Sequence, residues 1–252
     1  MLQLIPVAGL PLIRPGDRLA DLIVECFTAA GSSFASGDVL VIAQKVVSKA
    51  EGRIVRLDDV RPSQRALQLA DESEKDPRLV ELILQESREI LRIRPGLIVV
   101  EDLRGFVCAN AGIDRSNIEQ HGEGEEVALL PEDSDRSAQD IHSRLVELTG
   151  TRIGVIVNDS HGRAWREGTV GVAIGVAGMP ALSDRRGDAD LTGYTLQHTV
   201  IGLADEAAAA ASLVMGPASE GVPAVVIQGL VLPPGDGRAR DLQRPKQLDL
   251  FR

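Results

Sequence analysis

Residues 152–178 read RIGVIVNDSHGRAWREGTVGVAIGVAG. The β-branched run from Ile153 to Val157 predicts a strand, which passes straight into Asn158, Asp159 and Ser160. Arg163 and Arg166 follow, and VGVAIGVAG (170–178) predicts a second, glycine-spaced strand. Gly171, Gly175 and Gly178 do not make GxGxxG, and the chain contains no GxxxxGK[ST], so it carries neither a Rossmann fingerprint nor a P-loop. Acids and hydroxyls at a strand end suit a hard cation, while guanidinium groups grip phosphate or carboxylate in a bidentate fork. An Asp-Ser turn with solvated arginines would leave the same sequence.

Outward from this segment the chain is mixed. LQLIP opens with a short strand, and Gly9, Pro11, Pro15 and Gly16 turn it. Leu19, Leu22, Ile23 and Phe27 recur at helical spacing up to Gly31. DVLVIAQKVVSK (38–49) predicts one strand, with RIVRL (53–57) its partner after the Glu51-Gly52 turn. A helix is expected from Pro62 and another from Asp76-Pro77 to about Ile93; GLIVVED and GFVCANA then suggest a hairpin. Residues 112–135 are polar and aperiodic and predict a long loop, of the kind that often carries function. SAQDIHSRLVELTG predicts a helix with Ser137 and Asp140 at capping-box-like positions. An alanine-rich helix is expected over roughly Leu196 to Met215, and PAVVIQGL closes the ordered part. The irregular alternation points to an α+β or mixed α/β fold, residues 1–232, with 233–252 a loosely attached tail.

Composition narrows the function. With 2% aromatic residues and a formal net charge of -10, the chain offers little for stacking bases or holding a phosphate backbone, which argues against nucleic-acid binding. No run of roughly 18 apolar residues and no basic-then-apolar leader is present, so no membrane role and a cytoplasmic address are expected. Cys26 and Cys108 form no CxxC pair, and His121, His142, His161 and His198 show no ligand spacing. Any metal would be held by oxygen, which favours Mg2+ or Mn2+.

Two further segments bear chemistry. In CANAGID (108–114), Ala109, Ala111 and Gly112 would let the backbone pass close to a ligand, so that Asp114 reaches the same cation as Asp159 and Asn117 contacts a nucleotide; an Asx turn explains the segment equally well. Lys45 and Lys49 are two of only four lysines, and on a strand they point to one side, where they would oppose the overall acidity beside an anion; a solvated face is the plainer reading.

GLPLI, GDVLVIAQKVVSKAEGR, GFVCANAGIDRSN, LLPEDSDRSA, VGVIVNDSHGRAWREG, VAIGVAG and ADEAAAAASLVMG occur in the order seen in the coenzyme F420-0:L-glutamate ligases, or gamma-glutamyl ligases, which the chain resembles over nearly its whole length. The resemblance implies two intertwined subdomains and a GTP-dependent enzyme. It would add L-glutamate to coenzyme F420-0, and gamma-linked glutamates to its tail, through an acyl phosphate with release of GDP. Mg2+ or Mn2+, K+ as a further ion, and a homodimer with its site between domains are implied as well. Mapped onto this chain, Asp114 and Asp159 fall where one metal is held, and Ser160 where a hydroxyl helps hold a second. Leu10, Pro11, Leu12, Ile13, Gln44, Lys45, Lys49 and Asn117 fall at nucleotide contacts, as does the segment Met215 to Val222 with Gly216 and Gly221; Lys49 joins Asp114 and Asp159 as a catalytic candidate. Pro217 stands where many relatives have an acid or amide, which leaves the second metal to Glu220 or a phosphate oxygen. Arg163, Arg166 and Arg186 are candidates for holding L-glutamate. A metal-dependent nucleotide hydrolase and a non-catalytic nucleotide-binding dimer are the competing readings.

Overall fold

The computed structural model describes residues 1–118, 124–216 and 218–250. In chain order its strands and helices are β1 (Gln3–Pro6), α1 (Leu19–Ala29), β2 (Val39–Ala43), α2 (Gln44–Ala50), β3 (Ile54–Arg56), α3 (Gln64–Ser73), α4 (Pro77–Gln85), β4 (Ser87–Arg94), β5 (Leu97–Asp102), β6 (Val107–Ala109), β7 (Glu126–Ala128), α5 (Ser134–Thr149), β8 (Gly154–Arg163), β9 (Arg166–Ala177), β10 (Ser183–Asp184), β11 (Val200–Ile201), α6 (Leu203–Met215) and β12 (Ala224–Gln228). This is the α+β class that the irregular alternation suggests.

The main sheet runs β1-β12-β2-β8-β9. Its pairings are antiparallel except β2 with β8, which lie parallel with Ala43 opposite Asn158. Being central, β2 is apolar on both faces, and Val39 to Ile42 are fully buried. Leu40, Ile42, Val155 and Val157 turn to the helices α1 and α5, meeting Ile23, Phe27 and Leu145. Val39, Val41 and Ile156 turn to the alanines of α6. The glycine spacing of β9 has a packing cause: a Cβ at Gly175 would strike the Ser134 carbonyl of α5, and one at Gly171 would strike Ser212 of α6.

Between α2 and α5 the chain builds a second body around its own core, in which Leu57, Leu79, Ile83, Ile98, Val100 and Val127 pack together. Asp76 caps α4 by accepting from the Arg78 N–H, with Pro77 in the first turn. Arg53 and Arg104 bolt this body to the main one. Arg104 donates to the Leu130 and Pro131 carbonyls and pairs with Glu86 (2.7 Å) and Asp102 (3.1 Å), while Arg53 takes the other Glu86 oxygen.

Several expectations are corrected. The strand over 38–49 stops at Ala43, and Gln44–Ala50 is helical. Burial of Val47 and the side-chain bond from Ser48 to Gln44, one turn apart, select the helix over the local β propensity of Val46 and Val47. Residues 53–57 pair not with β2 but with β7, a three-residue strand inside the expected loop of 112–135. The helix expected to reach Ile93 ends at Gln85, because β4 finds a ladder along β5. The α5 cap is Asp133, which accepts from the Arg136 N–H, rather than a box at Ser137 and Asp140. The alanine-rich helix begins at Leu203, after Gly202 and the β10-β11 ribbon. The terminal segment does not hang loosely. Ala239 is fully buried with its N–H on Asp135, Gln243 donates to the Arg104 carbonyl, and Lys246 pairs with Glu101 at 2.6 Å.

Candidate active site

The parallel pair dictates where chemistry collects. Two parallel neighbours end at the same edge, and in open α/β sheets that carboxyl edge is where ligands bind. Here β2 runs into Gln44 and Lys45, and β8 into Asn158, Asp159 and Ser160, side by side. A cavity of about 1190 Å³ opens there. It collects Leu10, Pro11, Leu12 and Ile13 from the β1–α1 loop; Gln44, Lys45 and Lys49 from α2; Asp114 and Asn117 from the turn after β6; Asp159 and Ser160 from β8; and Met215, Gly216 and Gly221 from the end of α6 onward. Lys45 and Lys49 share a side through helical spacing, i and i+4, rather than through strand alternation.

Asp114 is held on all sides. Its main chain exchanges both hydrogen bonds with Ala128, Oδ1 accepts from the Ser116 N–H (2.8 Å) and hydroxyl (2.9 Å), and Oδ2 lies 2.8 Å from the Lys45 ammonium. Burial presses this carboxyl upward, but Lys45 and the Ser116 donors outweigh it and hold it below the ordinary aspartate range. Asp159 accepts from the Ser160 N–H at 2.8 Å and lies 2.9 Å from His161 Nε2. The small residues before Asp114 serve packing, not the ligand: Ala111 is buried in the second body, and a Cβ on Gly112 would come within 2.6 Å of Leu130. Asn110 and Ala111 take up left-handed backbone to follow that course, at φ 52° and 55°. Asn117, also left-handed, ties this turn to the segment beyond α6 by donating to the Ala218 carbonyl at 3.0 Å.

The arginines do not join the cavity. Strands β8 and β9 continue as a hairpin, so Arg163, four residues past Asp159, sits roughly 13 Å further along the strand and donates to the Gly168 carbonyl. Arg166 is its exposed ladder partner, and Arg186 pairs with Asp184. Glu220 is outside the cavity lining, and its carboxylate accepts from the Ala218 N–H. Pro217 and His121 lie outside the described residues.

The oxygen-rich donor set fits a hard cation. Among the described residues no three His, Cys, Asp or Glu side chains cluster, so two carboxylates with hydroxyl, amide and ligand oxygens are what the cavity offers. Both cysteines are free, and burial pushes the Cys108 thiol up, which keeps it inert. No helix among the described residues is long and apolar enough to cross a membrane.

Sequence reasoning names Asn158 at the strand end with Asp159 and Ser160 but gives it no role of its own. It is 6% exposed and lines the cavity. Its Nδ2 donates to Ser212 Oγ (3.2 Å) and Met215 Sδ (3.6 Å), and Oδ1 has no partner. An unmet buried acceptor costs about 1–3 kcal/mol.

Residues 9–229 match the family model described as F420-0:Gamma-glutamyl ligase. The chain is 49% identical to the coenzyme F420:L-glutamate ligase of Methanothermobacter thermautotrophicus, over 100% of this chain and 99% of that protein. It is 48% identical to the protein of the same name from Methanopyrus kandleri, over 100% and 98% of the two chains. The like-named protein of Methanocaldococcus jannaschii is 43% identical over 96% and 94%.

Proposed function

Because the chain belongs to the F420-0:gamma-glutamyl ligase family, we propose that it joins L-glutamate to coenzyme F420-0, and further glutamates to the growing tail, at the expense of GTP. The observation that carries this reading is the register of β2 with β8, which gathers Lys45, Lys49, Asp114, Asp159 and Ser160 around one cavity. Leu10 to Ile13, with Met215, Gly216, Ala218, Ser219 and Gly221, form a side-chain-poor wall for the guanosine. The two lysines face the triphosphate as compact charges.

Asp114, Asp159 and Ser160 would hold Mg2+ or Mn2+, and K+ would be a further ion of the same oxygen-lined cavity. The bound divalent ion supplies charge neutralisation and alignment of phosphate oxygens. Lys45, 2.8 Å from Asp114, would be placed to meet a phosphate oxygen, and Asp114 would share its carboxylate between Lys45 and the cation. The terminal carboxylate of the coenzyme attacks the γ-phosphorus, and GDP leaves with the bonding pair. The L-glutamate amine then attacks the acyl carbon of the resulting acyl phosphate; the C–O bond breaks, and phosphate departs with the surplus amine proton. Positioning and electrostatics are the protein's contribution to such a transfer.

The working form is a homodimer. Trp165 at the β8–β9 tip and Leu213 on α6, 87% and 85% exposed, present apolar surface that a second copy would cover, and light scattering reads the mass.

Mass spectrometry of the deazaflavin product after incubation with GTP, L-glutamate and Mn2+ tests the activity. Glutamate-sized increments with wild type but not with Asp159→Asn are expected. Phosphate release that ignores the deazaflavin would make the protein a nucleotide hydrolase, and no turnover with either ion would leave a nucleotide-binding dimer.

A further inference from the structure

Beside Asp159 stands an imidazole that takes no part in the cavity wall, His161. Between the bulges at Val157/Asn158 and Gly162/Arg163 the β8–β9 ladder is regular, with Asp159 opposite Val172 and His161 opposite Val170. Residues two apart on a strand share a face, so the ring lies next to the carboxylate. His161 Nε2 is 2.9 Å from Asp159 Oδ2, while the Ser160 N–H meets Oδ1 at 2.8 Å. An ionised carboxylate only accepts, so the ring nitrogen that faces it carries the proton. A neutral ring protonated at Nε2 and a charged ring make the same bond, which therefore needs no change of protonation.

His161 is itself held. Phe106, packed against the cores on both sides of the main sheet, stands edge-on to the ring, with centroids 6.2 Å apart and planes at 72°. The His161 and Asp159 side chains are 13% and 16% accessible, against 34% for Asp114. Asp159 lines the cavity and His161 does not, so anything the ring does for a ligand passes through the acid.

We propose that His161 is a positioning residue, whose Nε2–H fixes the Asp159 carboxylate in the orientation from which it takes the divalent cation. This rests on the placing of that cation at Asp114, Asp159 and Ser160. An aspartate left alone on a strand turns about both side-chain torsions, and an ion that binds it must stop those rotations. Donors on both oxygens stop them beforehand, and each oxygen keeps a further acceptor site for the ion. Asp114 is prepared by a neighbour at the same spacing, since Ser116 gives its N–H and hydroxyl to Oδ1. A turn brings the donor round in one case and strand alternation in the other.

The probe is Mn2+, its free concentration read by electron paramagnetic resonance, first with the metal alone and then with GDP added. Displacement of bound Mn2+ gives the affinity for Mg2+. His161→Phe keeps a ring against Phe106 and removes the donor. Its Kd for Mn2+ is expected to rise about 10- to 100-fold, the usual effect of removing a hydrogen-bond partner from a metal ligand. The Kd for Mg2+ should rise by the same factor, because both ions lose the same carboxylate. His161→Gln, whose amide N–H can reach Oδ2, should recover most of the affinity. If His161→Phe does not fold, judged by its melting curve, His161→Leu takes its place. An unchanged Kd for Mn2+ overturns the assignment. So does a loss that His161→Gln shares in full, which would make the ring a packing group. A loss confined to Mn2+ that spares Mg2+ would make the imidazole a ligand in its own right, and it too overturns the assignment. A wild type that binds no Mn2+ in either condition, or an Asp159→Asn that binds it as tightly, removes the cation site and this role with it. Glutamate ligation absent from the wild type, with the Mn2+ shifts as expected, removes the ligase reading and leaves His161 its role.

Discussion

Two charged clusters in this protein obey opposite rules. At the junction of the two bodies, Asp102 is fully buried and Arg104 nearly so, and every strong donor and acceptor is spoken for: Arg104 has Glu86, Asp102 and two carbonyls, and Asp102 also takes the Arg104 and Phe106 N–H groups. At the cavity, Asp114 and Lys45 stay partly exposed, with side chains 34% and 18% accessible, and the neighbouring Asn158 keeps an acceptor unmet. A cluster that only holds structure closes all its valences, because a buried leftover charge is intolerable. One that handles ligands must leave some open.

The comparison is broken most severely at Arg104. Arg104→Met keeps much of the side-chain length but leaves Asp102 buried without its cation. Removing one partner of a buried pair costs about 3–5 kcal/mol. Equilibrium urea unfolding should show a loss of that size, and residual activity per folded molecule should stay near the wild-type level. Next comes Asp159→Asn, with the opposite profile. Its turnover should fall roughly 10²- to 10³-fold, about 3–4 kcal/mol of transition-state stabilisation, while its unfolding midpoint moves little. Were Asp159→Asn to unfold early or Arg104→Met to lose turnover at full stability, the division of labour between the clusters would be wrong.

Only half of that division is legible in the amino-acid sequence. The apolar runs behind β2, β8, β9 and β12 mark strands on composition alone, and Asp114 and Asp159 stand out because acids at the ends of apolar or small-residue stretches are conspicuous. What composition does not carry is pairing between strands over a hundred residues apart. The β2–β8 register sets the residues after Ala43 beside those after Asn158, the bridge from Asp114 to Ala128 brings Asp114 to Lys45, and no local pattern encodes either. Short elements escape for a related reason. Seven residues of α2 with two β-branched valines satisfy both periods, and β7 is three residues whose partner, β3, lies some 70 positions earlier. Acids, a hydroxyl and two arginines within one short segment suggest a shared site, whereas the strand ladder carries the arginines outward. The Arg104 junction is equally hidden, since Glu86, Asp102 and Arg104 look like surface charge until the second body closes over them.

The smallest effect sharpens the comparison most, because it asks whether the cavity cluster contributes to folding at all. Burial works to raise the Asp114 carboxyl, yet Lys45 and the Ser116 donors together hold it below its ordinary range. A depressed acid stabilises the fold above its unfolded value, about 3.9, and the benefit is lost as pH falls through the lower folded value. For a partly exposed pair the gain is at most about 1 kcal/mol. Melting curves of wild type and Asp114→Asn should therefore lie slightly apart at neutral pH and converge as the solution is acidified below about pH 4. The same pair of curves in high salt should lie closer at every pH, because an accessible ion pair is screened. A wide gap that ignored both acid and salt would place Asp114 with the junction charges, as a residue the fold cannot spare, and would count against the proposed sharing of its carboxylate between Lys45 and a cation.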